Sequence, residues 1–455
     1  MSPKGRPEGE YRSAQHEGRP VSALTLQAYI NHRRIGTLTD RDGIWSFSYD
    51  PEWLAAPDAY SLSPALKLQP EPHEDSSSVR TVQWYFDNLL PEEGARTLLA
   101  KDAKLDAADA FGLLAWYGAE SAGSLTLLAA PPKEDERRYV ALSDQDLQTR
   151  IEALPRISLA ATAAKRMSLA GAQHKLAVIY RDGALFEPVG HEPSTHILKP
   201  GHTDPDYPHT VINEFFTMRL AARMRLPVPA VVRRYVPAPV YLVERFDRAR
   251  TGDEVQRLHL IDACQVLNLD RRFKYQQGSV ERLGELASTC TAAAAARLRI
   301  FSWLVFNVLT GNADAHLKNL SFLVTSRGLA LAPGYDLLSV AVYDTPAFDK
   351  RGWPATPLAW PLRGKATFDE LTREDLLEAG EALGLSREVA TRLLDVQVTR
   401  IEGEAKALLR EVEAENEHTL HARPELAATF SGELRCLRAI VALVIRDMVA
   451  RLEAQ

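Results

Sequence analysis

The stretch GNADAHLKN, residues 311–319, follows directly on the apolar run RIFSWLVFNVL and packs an aspartate, a histidine, a lysine and two asparagines into nine positions. A run that apolar is suited to a buried helix, so the polar groups at its end must either be capped locally or be put to use. Asp314 and Asn319 have the spacing of the aspartate and asparagine in the protein-kinase catalytic loop. There the aspartate accepts or orients the acceptor hydroxyl proton and the asparagine binds a metal. That reading requires a second acidic ligand downstream, and the hairpin-like segment LSFLVTSRGLALAPGYDLLSV supplies Asp336. Two carboxylates and an amide offer only hard oxygen ligands, which suits magnesium or manganese rather than zinc. Taken singly, each residue also has a bland reading: Asp314 as a cap, His316 as a core histidine, Asn319 and Asp336 as turn residues.

The order of residues along the chain separates the two readings. SLAGAQHK (168–175) precedes the strand-like LAVIY, and its glycine lets backbone amides approach an anion closely. Lys199 ends the strand-like THILK and Glu214 lies in the helical segment that follows; in phosphoryl-transfer sites such a glutamate holds a strand lysine on the nucleotide phosphates. The connector LVERFDR (242–248) then brings Phe246 and backbone amides to where an adenine has to lie. Loop, lysine, glutamate, connector, catalytic loop and final aspartate occur in the sequence of a bilobal kinase. Independent caps and turns have no reason to share that order.

Around this core, 455 residues are too many for one domain and imply two to four units. With 45% hydrophobic and 25% charged residues the composition is that of an ordinary globular chain. A net charge of -6 gives no general pull toward nucleic acid, and the arginines of RLAARMRLPVPAVVRRYV (219–236) read as a solvated helix face followed by a strand. Cys264, Cys290 and Cys436 are scattered, without a C-x-x-C pair, which indicates neither a disulfide framework nor a zinc site and fits a reducing cytoplasm. Residues 1–20 read as a mobile polar tail without a signal peptide, and no later apolar run reaches the length that spans a bilayer.

Residues 21–130 combine alternating strands, with turns at NHRR and DRDG, and helices in VRTVQWYFDNLLPEEGARTLLAKDAKL and DAADAFGLLAWYGAE. Residues 131–150 form a charged, proline-led linker and a short helix; 151–248, several strands around one helix; 249–455, a mostly helical region. The expected fold class is α+β and bilobal, protein-kinase-like, with an N-terminal β-rich subdomain, a nucleotide-binding lobe and a mostly helical C-terminal lobe.

SLAGAQHK, THILKP, NEFF, ERFDR, DACQVLNLDRRFKYQ, GNADAHLKN and YDLLS together resemble the HipA-type serine/threonine kinases, toxins of bacterial toxin–antitoxin pairs. YDPEWLA, YFDNLLPEEGARTLL and FGLLAWYGAESAGSLTLL look like that family's N-terminal subdomain, so the similarity runs from about Leu24 to the C-terminal helices. The resemblance implies a protein kinase using ATP and Mg²⁺. Carried over by motif, Ala170, Gly171, Ala172, Gln173, His174 and Lys175 would wrap the phosphates, Lys199 would bind them, and Glu244, Arg245 and Phe246 would hold adenine. Asp314 would accept the proton; His316, Leu317, Lys318, Asn319, Tyr335 and Asp336 would line the nucleotide, with Asn319 and Asp336 on the metal and Glu214 in support. The family's substrates are proteins of translation, notably aminoacyl-tRNA synthetases. Its partner is a small helix-turn-helix antitoxin of HipB type that neutralises the kinase and brings it to operator DNA; no membrane is involved. One departure is His174, where many members carry an acidic residue. Ser168 matches the serine such kinases autophosphorylate. Two alternatives stay open: a kinase-fold co-repressor that works through the antitoxin, and a small-molecule kinase, which would leave the first 130 residues unexplained.

Overall fold

A computed structural model describes residues 23–130, 138–167, 169–252 and 254–453. The expected tail and Ser168 therefore lie outside the described residues.

The first unit is a five-stranded antiparallel sheet, ordered His73–Glu74, Ile44–Tyr49, Arg33–Arg41, Leu24–Ile30 and Leu125–Leu128. The alternation that predicts strands is also what buries them: Leu26, Ala28 and Ile30 share one face with Trp45, Phe47 and Tyr49. Asp42 and Gly43, both at positive φ, close the hairpin at the DRDG turn. The helices Thr81–Asp87, Glu93–Ala103 and Ala110–Tyr117 follow the windows expected of them.

The second unit is a six-stranded antiparallel sheet, ordered Val231–Tyr235, Pro239–Glu244, His196–Pro200, Leu176–Arg181, Ala184–Pro188 and Tyr139–Ala141. The helix Thr210–Arg223 packs on it through Val211, Phe215 and Phe216. The segment expected as a linker thus contributes its own edge strand, Tyr139–Ala141, to this sheet. Arg219 and Arg233 pair with Glu415 at 2.8 and 3.1 Å on the long helix Arg387–Ala422. The helix and strand expected of the arginine-rich stretch are present, but these two arginines are ion-paired across a helix contact and not freely solvated.

Among the described residues the remainder is mostly helical apart from three small sheets, one of them Leu260–Asp262, Ser321–Thr325 and Gly328–Leu331. At its centre lies the helix Ala293–Thr310, with Phe301, Trp303, Val305 and Phe306 all buried. Contrary to the sequence reading, this helix is long and apolar enough to cross a bilayer. In the fold 61% of it is buried inside the protein, packed against the helices Val280–Thr289 and Arg387–Ala422. Gly311 ends it in a left-handed conformation, φ 65°, and releases the chain into the polar loop.

Candidate active site

The polar end of that helix is a hydrogen-bonded scaffold. Asn312 donates to the Asn307 Oδ1 at 2.7 Å and accepts from the Asp314 amide at 3.1 Å. Asn319 donates its side-chain N–H to the Asp314 carbonyl at 2.9 Å, which leaves its Oδ1 free to face a ligand. Trp360, from the hairpin of the C-terminal lobe, donates to the Ala315 carbonyl at 3.0 Å. Asn312, to which the sequence gives no chemical role, therefore fixes the backbone that presents Asp314.

The loop opens on a cavity of about 530 Å³ between the lobes. Lys199 reaches it from the end of its strand and is held by Glu214 at 2.7 Å and by Asp336. One ammonium compensates two carboxylates unequally. Burial works against the charge on Asp336, but Lys199 and Lys175 outweigh it and hold this carboxyl well below the usual range. Burial pushes Glu214 up to about 7, with Lys199 only partly offsetting it. Lys199 itself stays firmly protonated, because Asp336 and Glu214 overcome its burial.

The rings of Phe246 and Tyr335 lie 5.7 Å apart on the cavity wall, tilted by 38°, and give it an aromatic face beside the connector expected to hold adenine. Ala170, Gly171, Ala172, Gln173 and Lys175 line the same cavity, with the Lys175 ammonium donating to the Ala170 carbonyl at 2.7 Å. Gly171 has φ 108°, and a Cβ there would meet the Lys175 Nζ at 2.7 Å, so the turn requires glycine.

Three expected residues are placed differently. His174 lines a small neighbouring cavity with Met167 and Leu159 and not the main one. Leu317 points into the core. Arg245 borders the cavity, but its guanidinium is committed to Asp247 at 2.6 Å and Glu120 at 3.2 Å.

Lys318 also borders the cavity, yet its ammonium is occupied by Asp262 and by the Asn88 Oδ1 at 2.7 Å. Asn88 and Glu92 come from the N-terminal subdomain and were not anticipated as part of the site. Neither was Tyr275, whose hydroxyl donates to the Asp314 Oδ1. Burial and the Asp314 carboxylate push the Tyr275 hydroxyl up, so it remains a donor. The motifs NLLPEE and RRFKYQ were visible in the sequence, but nothing local says that they meet at the loop.

Among the described residues no group of three or more His, Cys, Asp or Glu side chains forms a metal cluster. The donor set facing the cavity, one amide oxygen and one carboxylate, fits a hard ion that takes its remaining ligands from phosphate and water.

Two lobes that bring a held lysine and a polar catalytic loop to one cleft have the layout of a kinase. A model of the HipA N-terminal domain matches residues 26–128, and one of the HipA-like C-terminal domain matches 167–405. The serine/threonine-protein kinase toxin HipA of Shewanella oneidensis is 31% identical over 344 residues, 71% of this chain and 77% of its own. Y4mE of Sinorhizobium fredii is 36% identical over 393 residues, 82% of this chain and 90% of its own. In structure the chain matches the Shewanella oneidensis MR-1 HipA of a complex with HipB and operator DNA. The TM-score is 0.75 at 26% identity, over 94% of this chain and 97% of that one. The chain belongs to the HipA family of serine/threonine-protein kinase toxins.

Proposed function

We propose that this protein transfers the γ-phosphoryl group of ATP, with Mg²⁺, to a serine or threonine hydroxyl of another protein. The observation that carries the reading is the meeting of Asp314, Asn319, Asp336 and Lys199 on one cavity from three separate stretches of chain. Asp314 receives the hydroxyl proton; Lys199 binds the phosphates; Asn319 and Asp336 would hold the magnesium, which would neutralise charge developing on the phosphoryl oxygens. Phe246 and Tyr335 flank the adenine. Asp336 is paired with Lys199 in this structure, so a magnesium held by Asp336 would share that carboxylate with Lys199, which Glu214 also holds.

As a toxin of this family it acts on a protein of translation such as an aminoacyl-tRNA synthetase. It is neutralised by a HipB-type helix-turn-helix antitoxin through which it reaches DNA, a reading supported by the relative's complex with HipB and operator DNA. The N-terminal subdomain lines the catalytic cavity, which favours this reading over a small-molecule kinase. Phosphorylation at Ser168, two residues before Ala170 in the sequence, would add about -1.5 to -2 charge, which would repel ATP's own phosphates and so switches the enzyme off.

The test is Asp314→Asn, which loses transfer of labelled phosphate to protein while still binding ATP; retained transfer removes Asp314 from its role. Preincubation with ATP should silence wild type and spare Ser168→Ala. Equal loss in both would exclude the switch. Chelation of divalent cations should stop transfer in either protein.

A further inference from the structure

The segment Asp270–Gly278 lies against the catalytic loop; its Lys274 and Tyr275 border the cavity, and the chemistry above gives them no role. The Lys274 carbonyl accepts from the Leu317 amide at 3.2 Å. The next residue, Tyr275, donates its hydroxyl to the Asp314 Oδ1 and sets its ring edge-on to His316 at 5.0 Å. The Lys274 ammonium is buried and reaches the Glu92 Oε2 at 2.6 Å, across the junction with the N-terminal subdomain.

Glu92 is itself only 3% exposed and stands at the start of the helix Glu93–Ala103. Its second oxygen lies 3.6 Å from Lys318, on the other side of the loop, and makes no hydrogen bond. Its backbone amide donates to the Gly171 carbonyl of the phosphate loop at 3.2 Å, next to a bridge between Pro91 and Gly171. One residue of the N-terminal subdomain thus touches the phosphate loop, the segment bearing Tyr275 and the catalytic loop.

We infer that Glu92 and Tyr275 are positioning residues for phosphoryl transfer: Glu92 holds Lys274 so that Tyr275 fixes one oxygen of Asp314 and leaves Oδ2 for the acceptor hydroxyl. A carboxylate free to rotate would present either oxygen at many angles, whereas a base must sit within hydrogen-bond reach of the proton it takes. The inference rests on Asp314 being that base, and it gives the N-terminal subdomain a direct part in the chemistry.

The experiment compares wild type with Tyr275→Phe, Glu92→Gln, the double variant and Asp314→Asn. The acceptor is a peptide library randomised around a fixed serine or threonine, and radiolabelled ATP is the donor. Tyr275→Phe keeps the ring against His316 and should lower kcat roughly tenfold to a hundredfold, the range for a hydrogen bond to a charged group, with KM for ATP unchanged. Glu92→Gln should lower kcat in the same way, and the double variant should be little worse than the poorer single one, because both act through one bond. An unchanged or raised kcat in Tyr275→Phe would overturn the proposal, the rise marking Tyr275 as a plug over the base. Multiplying defects in the double variant, or a loss confined to KM, would overturn it too. If Glu92→Gln does not fold, Tyr275→Phe alone decides. Transfer by Asp314→Asn would instead refute the base on which the inference stands.

Discussion

The Asp314–Asn319 spacing suggested a catalytic loop but left a capped turn open, and the order of the surrounding motifs decided between them. Lys199, Glu214 and Asp336 were legible only as an ordered set, since each is an ordinary residue in its own segment. Tyr275, Lys274 and Glu92 were not legible, because their roles depend on contacts that join the N-terminal subdomain to the kinase core, Lys274 to Glu92 being 182 residues apart. Lys199 carries the clearest prediction at this scale. Lys199→Met removes the cation bonded to both Glu214 and Asp336 and leaves only the more distant Lys175, and breaking a buried pair from one side costs about 3–5 kcal/mol. Thermal unfolding should show a fall in Tm, together with lost ATP affinity; an unchanged Tm would contradict the shared ion pair. Asp336 supplies the sign of a pH effect. Its folded pKa is depressed, so its stabilisation is present above the unfolded value of about 3.9 and is lost as pH falls through the folded one. The Tm difference between wild type and Asp336→Asn should therefore be in favour of wild type near neutrality and shrink below about pH 4. A difference constant from pH 3 to 8 would exclude the linkage.

At the scale of elements, the helix Ala293–Thr310 and its loop behave as one piece. The sequence showed an apolar helix and a polar end, and periodicity sufficed for that much. It did not show what stands behind Gly311. A Cβ there would lie 2.6 Å from Val444 and 2.9 Å from Ala341, and Val444 belongs to the π-helical stretch Ile440–Ile445 of the C-terminal helices. Gly311→Ala thus combines a left-handed backbone with a steric clash, and should cost about 1–3 kcal/mol in chemical denaturation while lowering kcat by displacing the Asp314 loop. Full activity and stability would mean that the loop is not seated as described. The linker prediction failed in part for a related reason: the three-residue strand Tyr139–Ala141 is too short to show a period of its own, and only its partner Ala184–Pro188 makes it a strand.

The whole molecule is held together by buried charge as well as by apolar packing. Glu120, from the N-terminal subdomain, is fully buried and meets Lys165, Arg245, Arg248 and Arg257. Those cations outweigh its burial and hold the carboxyl well below the usual range. Glu120→Ala would strand Lys165 and Arg257, Arg245 and Arg248 keeping Asp247, so it should destabilise the full chain by about 3 kcal/mol or more in denaturant unfolding; a change under about 1 kcal/mol would contradict a structural role for the cluster. This network also explains why Arg245, expected at the adenine, is occupied elsewhere. The central claim remains that Asp314 is the base of a protein kinase. Purified wild type and Asp314→Asn should bind an ATP analogue with affinities within about threefold, while transfer to the serine/threonine peptide library falls at least about a hundredfold in the variant, the lower end of general-base contributions. Equal transfer at equal ATP affinity would contradict the account.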